Sequence, residues 1–170
     1  MTRKSLSRLS LALSFALAIS LLLAQTAPRA EADRVLVLKH QRVLRLLRKG
    51  KTLREYKVSL GGSPVGPKTQ QGDHKTPEGV YVLDSRNPHS QYYKSLHISY
   101  PTPKQRLEAR KHGVSPGGDV FIHGLPNGYR GIGSAHLLHD WTDGCVAVTD
   151  AEMDEIWKTV PNGTPVEIRP

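Results

Sequence analysis

Asp140-Trp141-Thr142-Asp143-Gly144-Cys145-Val146-Ala147-Val148-Thr149-Asp150-Ala151-Glu152 carries the only cysteine of the chain and runs directly into its clearest helix. Thr149 and Glu152 have the spacing of a capping box, in which the threonine side chain caps the first turn and the glutamate reaches back. Met153, Ile156, Trp157 and Val160 follow at i, i+3, i+4 and i+7, one apolar face turned toward a core. Pro161-Asn162-Gly163 stops the helix, and Pro165 to Ile168 reads as a closing strand. Upstream, Asp119 to His123 reads as an apolar strand that delivers His123 at its end. Residues 124–144 therefore lie between a strand and a helix, where a rigid frame commonly presents reactive side chains.

Working outward, the remaining elements are short and mostly extended. Val35 to Leu38 is an apolar strand. Arg42 to Arg48 fits a strand or a helical face, Lys49-Gly50-Lys51 reads as a hairpin turn, and Leu53 to Leu60 alternates as a strand does. A three-stranded meander is the preferred reading. Gly61-Gly62-Ser63-Pro64 breaks the pattern. Thr76-Pro77-Glu78-Gly79 turns into a strand at Val80 to Leu83, residues 84–95 are polar and turn-rich, and Leu96 to Tyr100 is a further strand. Gln105 to His112 forms one or two helical turns closed by Gly113. The pattern predicts a mainly β fold with short helices, without internal repeats or a linker to a second domain.

The N-terminus reads as an export signal. Arg3, Lys4 and Arg8 form a basic start, Leu9 to Ala24 is a nearly apolar run of 16 residues, and Ala30-Glu31-Ala32 fits a small-x-small cleavage site. Residues 1–32 are thus expected to be removed, leaving 33–170 as one catalytic-size domain. A run of 16 falls short of the roughly 20 residues that a spanning helix needs, so no stable membrane anchor is expected after cleavage. No cysteine adjoins the run, which excludes a lipid-modified cysteine anchor. The full chain has 24 Lys and Arg against 15 Asp and Glu, a net charge of +9. Removing Arg3, Lys4, Arg8, Arg29 and Glu31 lowers this by three. In the periplasm or cell wall such a field fits anionic wall polymer or peptide carboxylates, not nucleic acid.

An exported protein usually pairs its cysteines or lacks them. Cys145 has no internal partner, so it is either buried and inert or held as a reagent. A free thiol with a pKa near 8.5 is only slightly ionised at neutral pH, and an imidazole raises that fraction by taking the proton or pairing as imidazolium. His123, after Val120-Phe121-Ile122, is the candidate partner. Gly124 and Gly144 permit close approach of a substrate or another chain segment, and a Gly-Cys turn exposes backbone N–H groups suited to an oxyanion.

Ile122-His123-Gly124 and Thr142-Asp143-Gly144-Cys145, with His and Cys 22 residues apart, resemble the catalytic signature of YkuD-type L,D-transpeptidases. Gly66-Pro67-Lys68, Gly72-Asp73, Thr76-Pro77-Glu78-Gly79-Val80-Tyr81, Ile98-Ser99-Tyr100-Pro101 and Pro116-Gly117-Gly118 agree in order, so the resemblance spans nearly all of 33–170. It implies a YkuD-like β-sandwich and an enzyme of peptidoglycan stem peptides. Cys145 is then the nucleophile that forms a thioester with release of D-Ala, and His123 is base and acid. The Gly124 carbonyl orients the imidazole, and the Gly144 and Cys145 N–H groups hold the oxyanion. An amine acceptor gives a 3–3 cross-link or an attached protein; no metal or organic cofactor is required. Thr142, Asp143, Trp141, Tyr93, Lys68 and Arg130 are the candidate substrate contacts.

Two positions depart from the family pattern. Many members carry His where this chain has Asp143, and Arg or Asn where it has Ala147. The latter resembles a branch that includes a hydrolase detaching a lipoprotein from peptidoglycan, so an L,D-carboxypeptidase or amidase is the alternative. Two rival classes remain: a cell-wall-binding module that needs no thiol, and a metallopeptidase using His136 and His139. The second lacks a visible third ligand. His74, His89 and His97 read as surface or strand-end residues, and Tyr92-Tyr93 as packing or the wall of a peptide groove.

Overall fold

The computed structural model describes residues 31–170. The expected export signal lies outside these residues except for Glu31 and Ala32. Ala32 is buried, and its N–H donates to Thr159 O at 2.8 Å.

Eight strands form one sheet. They are β1 (Arg34–Leu38), β2 (Val43–Arg48), β3 (Lys51–Lys57), β4 (Gly79–Ser90), β5 (Tyr93–Ile98), β6 (Phe121–His123), β7 (Val146–Ala147) and β8 (Pro165–Arg169). Among the described residues two helices, α1 (Pro103–Lys111) and α2 (Asp150–Thr159), and a 3-10 segment at Arg130–Leu138 broken at Gly133 accompany the sheet. The order across the sheet is β3-β2-β1-β8-β4-β5-β6-β7. All neighbours are antiparallel except β1 with β8 and β6 with β7.

The ambiguous segment Arg42–Arg48 becomes a strand because its neighbours on both sides are strands, and Leu44 and Leu46 are fully buried opposite Val37 and Val35. Lys49 and Gly50 form the two-residue β2–β3 turn, with φ of 50° and 74°. Positive φ at both central residues matches the twist of a hairpin. The polar stretch 84–95, read as turn-rich, is instead a hairpin: β4 continues to Ser90, turns at Gln91-Tyr92 and returns as β5. Most of its β4 half is solvent-exposed and carries register shifts, so it shows no apolar alternation.

β4 joins the two halves of the sheet, pairing with β8 over Gly79–Val82 and with β5 over Leu83–Ser90. Val35, Val37, Leu44 and Leu46 from one half share a core with Leu96, Ile98, Ile122 and Val146 from the other, and α2 adds Met153, Ile156 and Val160. The expected capping box is present: Thr149 Oγ1 accepts the Glu152 N–H, and Glu152 accepts the Thr149 N–H at 2.8 Å. The sheet ends meet where Ser59, just beyond β3, bridges Ala147 of β7 with N–H···O distances of 3.1 and 2.9 Å. That bridge covers an edge that would otherwise stay open, and it fixes the corner beside His123 and Cys145.

Candidate active site

β6 and β7 run parallel, with Ile122 opposite Val146 and His123 opposite Ala147. Paired residues share a face, and residues two apart on a strand do too. His123 and Cys145, two residues before Ala147, therefore project from the same side of adjacent chains. At the point where the short ladder gives out, the Phe121 N–H donates to Cys145 Sγ at 3.4 Å, and the thiol points to Asp119 O at 3.7 Å. Cys145 is partly exposed; His123 is buried.

The His123 ring is held on several sides. Its Nδ1 lies 2.7 Å from Gly124 O. A carbonyl only accepts, so Nδ1 carries the hydrogen and Nε2 is a bare acceptor. Tyr92 packs 4.5 Å from the ring by centroid, and Trp141 approaches edge-on at 5.8 Å. Gly124 is required by space: a Cβ there would stand 2.7 Å from Asp150 Oδ1 and 3.0 Å from Tyr93 Cβ.

Burial disfavours the charged form of both groups. Burial pushes His123 down to about 4 against the opposing pull of the Gly124 carbonyl, with His136 adding to the downward push. Burial also pushes the Cys145 thiol up to about 11, partly offset by the Phe121 N–H. Desolvation opposes a resting thiolate–imidazolium pair, and an imidazole with a bare Nε2 suits the other route that the sequence offers, proton transfer from Sγ to Nε2.

The cysteine turn is fixed by its own threonine. Thr142 Oγ1 donates to Cys145 O at 2.8 Å and accepts the Gly144 N–H at 3.1 Å. Thr142 is buried, with its hydroxyl engaged in the turn. The Gly144 N–H, expected to serve an oxyanion, is thus already engaged. The Cys145 N–H forms no hydrogen bond among the described residues and remains the free donor. Gly144 has φ of 131°, and a Cβ there would lie 2.6 Å from Lys75 O.

The other expected contacts scatter. Asp143 is exposed, with Oδ1 2.7 Å from His74 Nδ1. Trp141 stands beside His123, and its buried Nε1 has no hydrogen-bond partner among the described residues. The Tyr92 ring packs on His123, while Tyr93, with φ of 64°, lies beside Gly124 and its hydroxyl donates to Asp154. Arg130 is exposed, 3.7 Å from Asp150 Oδ2. Lys68 is buried beside the turn and paired with Asp73 at 2.7 Å. Burial would raise the Asp73 carboxyl, but Lys68 and the N–H groups of Thr69, Gln70 and Lys75 outweigh it and bring it to about 2. Among the described residues no group of three His, Cys, Asp or Glu is placed to hold a metal. The 3-10 segment that carries His136 was not foreseen in the sequence, nor was Ser59 as its partner, because their pairing spans 77 residues.

Residues 32–168 match the family model for the YkuD L,D-transpeptidase catalytic domain. The chain is 33% identical over 111 residues to the protein YafK of Escherichia coli K12, covering 64% of this chain and 37% of YafK. It thus spans little more than a third of that relative. Its structure is similar to that of Pgp2, the helical cell shape determining protein of Campylobacter jejuni, with a TM-score of 0.62 and 26% identity over 80% of this chain and 46% of Pgp2. It shares its fold with the L,D-transpeptidase of Xylanimonas cellulosilytica, with a TM-score of 0.52 and 18% identity over 85% of this chain and 63% of that one. The chain belongs to the YkuD L,D-transpeptidase catalytic domain family.

Proposed function

We propose that the protein is an exported cysteine enzyme that acts on peptidoglycan stem peptides through a Cys145 thioester. The observation that carries this reading is the shared face of Cys145 and His123, with a bare Nε2 available to accept the thiol proton. Cys145 Sγ attacks the carbonyl carbon of the third, diamino-acid residue of a tetrapeptide as its proton passes to His123. The C–N bond breaks, and D-Ala leaves with that proton. An amine of a neighbouring stem then attacks the thioester, the C–S bond breaks, and the thiol is restored, leaving a 3–3 cross-link. The Cys145 N–H stabilises the oxyanion in both steps.

Hydrolysis is the second reading, and one observation favours it. Ala147 is fully buried and presents only a methyl, so no side chain at that position holds an acceptor. A poorly positioned amine competes less well with water. The test is to incubate residues 33–170 with tetrapeptide muropeptides and read masses. A Cys145 adduct with D-Ala release supports the reading. Tripeptide against 3–3 dimer then separates hydrolysis from transfer. A wall-binding module would give neither product, and a metallopeptidase would stop with chelator.

A further inference from the structure

Backbone groups of successive residues in an antiparallel strand serve opposite neighbours. On one side of β4 the Leu83 N–H donates to Thr164 O at 3.0 Å, and Leu83 O accepts the Gly163 N–H at 2.8 Å, continuing the β8 ladder. On the other side Val82 donates to Ser99 Oγ and accepts the Ser99 N–H, both at 2.9 Å. Val80 is the next residue to face that second side. The register that sets Leu83 opposite Ile98 would set Val80 opposite Pro101. Proline has no N–H to give, and the chain leaves there for α1. The Val80 N–H and C=O therefore have no partner among the described residues, and Val80 is 62% exposed. An unpaired strand edge is a template for another extended chain.

This open edge lines a cleft of about 960 Å³ whose other wall is α1. Clefts of about 300–1,000 Å³ take a drug-sized ligand, and so a few residues of extended peptide. The two walls are tied together: Gln105 Nε2 donates to the Tyr81 hydroxyl at 2.7 Å, and that hydroxyl donates to Glu78 O at 2.8 Å. Buried Tyr81, Tyr100 and Ala109 supply an apolar floor. Charge then selects among peptides. Glu78 is held by Lys39 at 2.7 Å, Glu108 by Lys111 at 2.8 Å, and Lys68 by Asp73 at 2.7 Å. Lys104, exposed on the α1 wall, has no ion-pair partner among the described residues, so the cleft presents unpaired positive charge.

We infer that this cleft binds an extended L-peptide segment of a protein partner, with apolar residues and a carboxylate, which adds to β4 as a strand. The residue opposite Val80 accepts its N–H and donates to its C=O, the two bonds that Pro101 does not supply. Neighbouring residues of the segment turn their side chains to the tyrosine floor, and the carboxylate meets Lys104. Strand addition takes affinity from main-chain bonds and selectivity from the pockets beneath alternate side chains. A chain of L-residues shares the twist of β4, which a stem peptide with D-residues does not reproduce. The site is separate from the chemistry at Cys145 and stands without the thioester reading.

Amide exchange and chemical shifts test the inference on the protein itself. Without peptide, the Val80 N–H should exchange far faster than that of Tyr81, which pairs with Val166. The probe is a five-residue L-peptide of alternating valine and threonine that ends in a free aspartate. It should shift the Val80 and Lys104 signals saturably, with half-effect below about 1 mM, and slow Val80 exchange. Val80→Pro removes the edge donor without removing a sheet bond, and should weaken binding about tenfold. Lys104→Glu leaves the sheet untouched and should weaken binding about fivefold; it decides the matter if Val80→Pro does not fold. A Val80 amide as protected as Tyr81 in the free protein overturns the inference, as does an unmoved Val80 signal up to about 1 mM peptide. Binding unaffected by Lys104→Glu overturns the carboxylate assignment. Equal shifts from a tetrapeptide muropeptide give the cleft to the stem peptide and overturn the inference. Val80 shifts that grow with protein concentration alone give it to a second copy of the chain and also overturn it.

Discussion

His123 and Cys145 stand on the same face of adjacent chain segments, two residues out of register, because His123 lies opposite Ala147 and Cys145 precedes Ala147 by two. In the proposed mechanism, the positions of nucleophile and base are thus set by the β6–β7 ladder. The ladder is itself clamped on its far side by Ser59. Such a frame holds reacting groups in place without a rearrangement at the moment of attack.

The resting thiol should be slow. With Cys145 pushed up to about 11 by burial and His123 down to about 4, both groups are expected to be neutral at pH 7. Iodoacetamide alkylation should be slower at pH 7 than for a free thiol of pKa near 8.5, and should rise about tenfold per pH unit through pH 6–9. His123→Ala should leave that slope unchanged. A rate plateau below pH 7 that vanishes in His123→Ala would show a preformed thiolate–imidazolium pair.

The same burial makes the fold acid-sensitive. Between the unfolded value of 6.5 and the folded value of about 4, the unfolded chain holds the extra proton on His123. Stability therefore falls as pH drops through that window and levels off below it. At pH 5 the loss is about 2 kcal/mol for His123, and His136, also lowered by burial, acts in the same direction. Urea midpoints should fall from pH 7 to pH 5, and His123→Asn should flatten the fall. An identical slope in that variant contradicts the buried neutral imidazole.

Much of this was legible in the sequence. The capping box at Thr149, the apolar strand ending on His123, and the Gly-Cys turn each carry a local pattern, and the structure shows each element in place. Gly124 and Gly144 needed no side chain, for reasons visible only in space: Asp150 Oδ1 and Lys75 O fill those positions. The Ser59–His136 contact and the packing of Tyr92 on His123 were not legible. They depend on pairings between distant segments and on the phase of an exposed hairpin whose residues lack apolar alternation.

Lys68 should matter for stability first. Its ammonium is buried against Asp73 and also donates to Gln70 O at 3.2 Å. Removing one partner of a buried pair leaves the other uncompensated, typically at 3–5 kcal/mol. Three backbone N–H groups still serve Asp73, so Lys68→Met should cost about 3 kcal/mol, at the lower end. A urea midpoint within error of native would show the pair to be energetically idle.

Ala147→Arg should not simply add an acceptor-binding group. Ala147 is fully buried between Ser59 and His123. A long cation there overpacks the corner, with an expected loss of about 3 kcal/mol or more. The variant should show a lowered melting temperature and lose acylation as well as transfer. Native stability with a shift toward 3–3 dimer would mean the corner is roomier than its geometry shows.

The central claim is that Cys145 and His123 act as one unit, and turnover of a tetrapeptide muropeptide by matched variants tests it most directly. Cys145→Ala, His123→Ala and the double variant should each keep the native circular dichroism spectrum. Each should lose D-Ala release to a similar extent, by about a thousandfold or more, because removing either member of such a unit costs nearly as much as removing both. Near-native release by Cys145→Ala, or independent additive losses from the two single variants, would contradict the account.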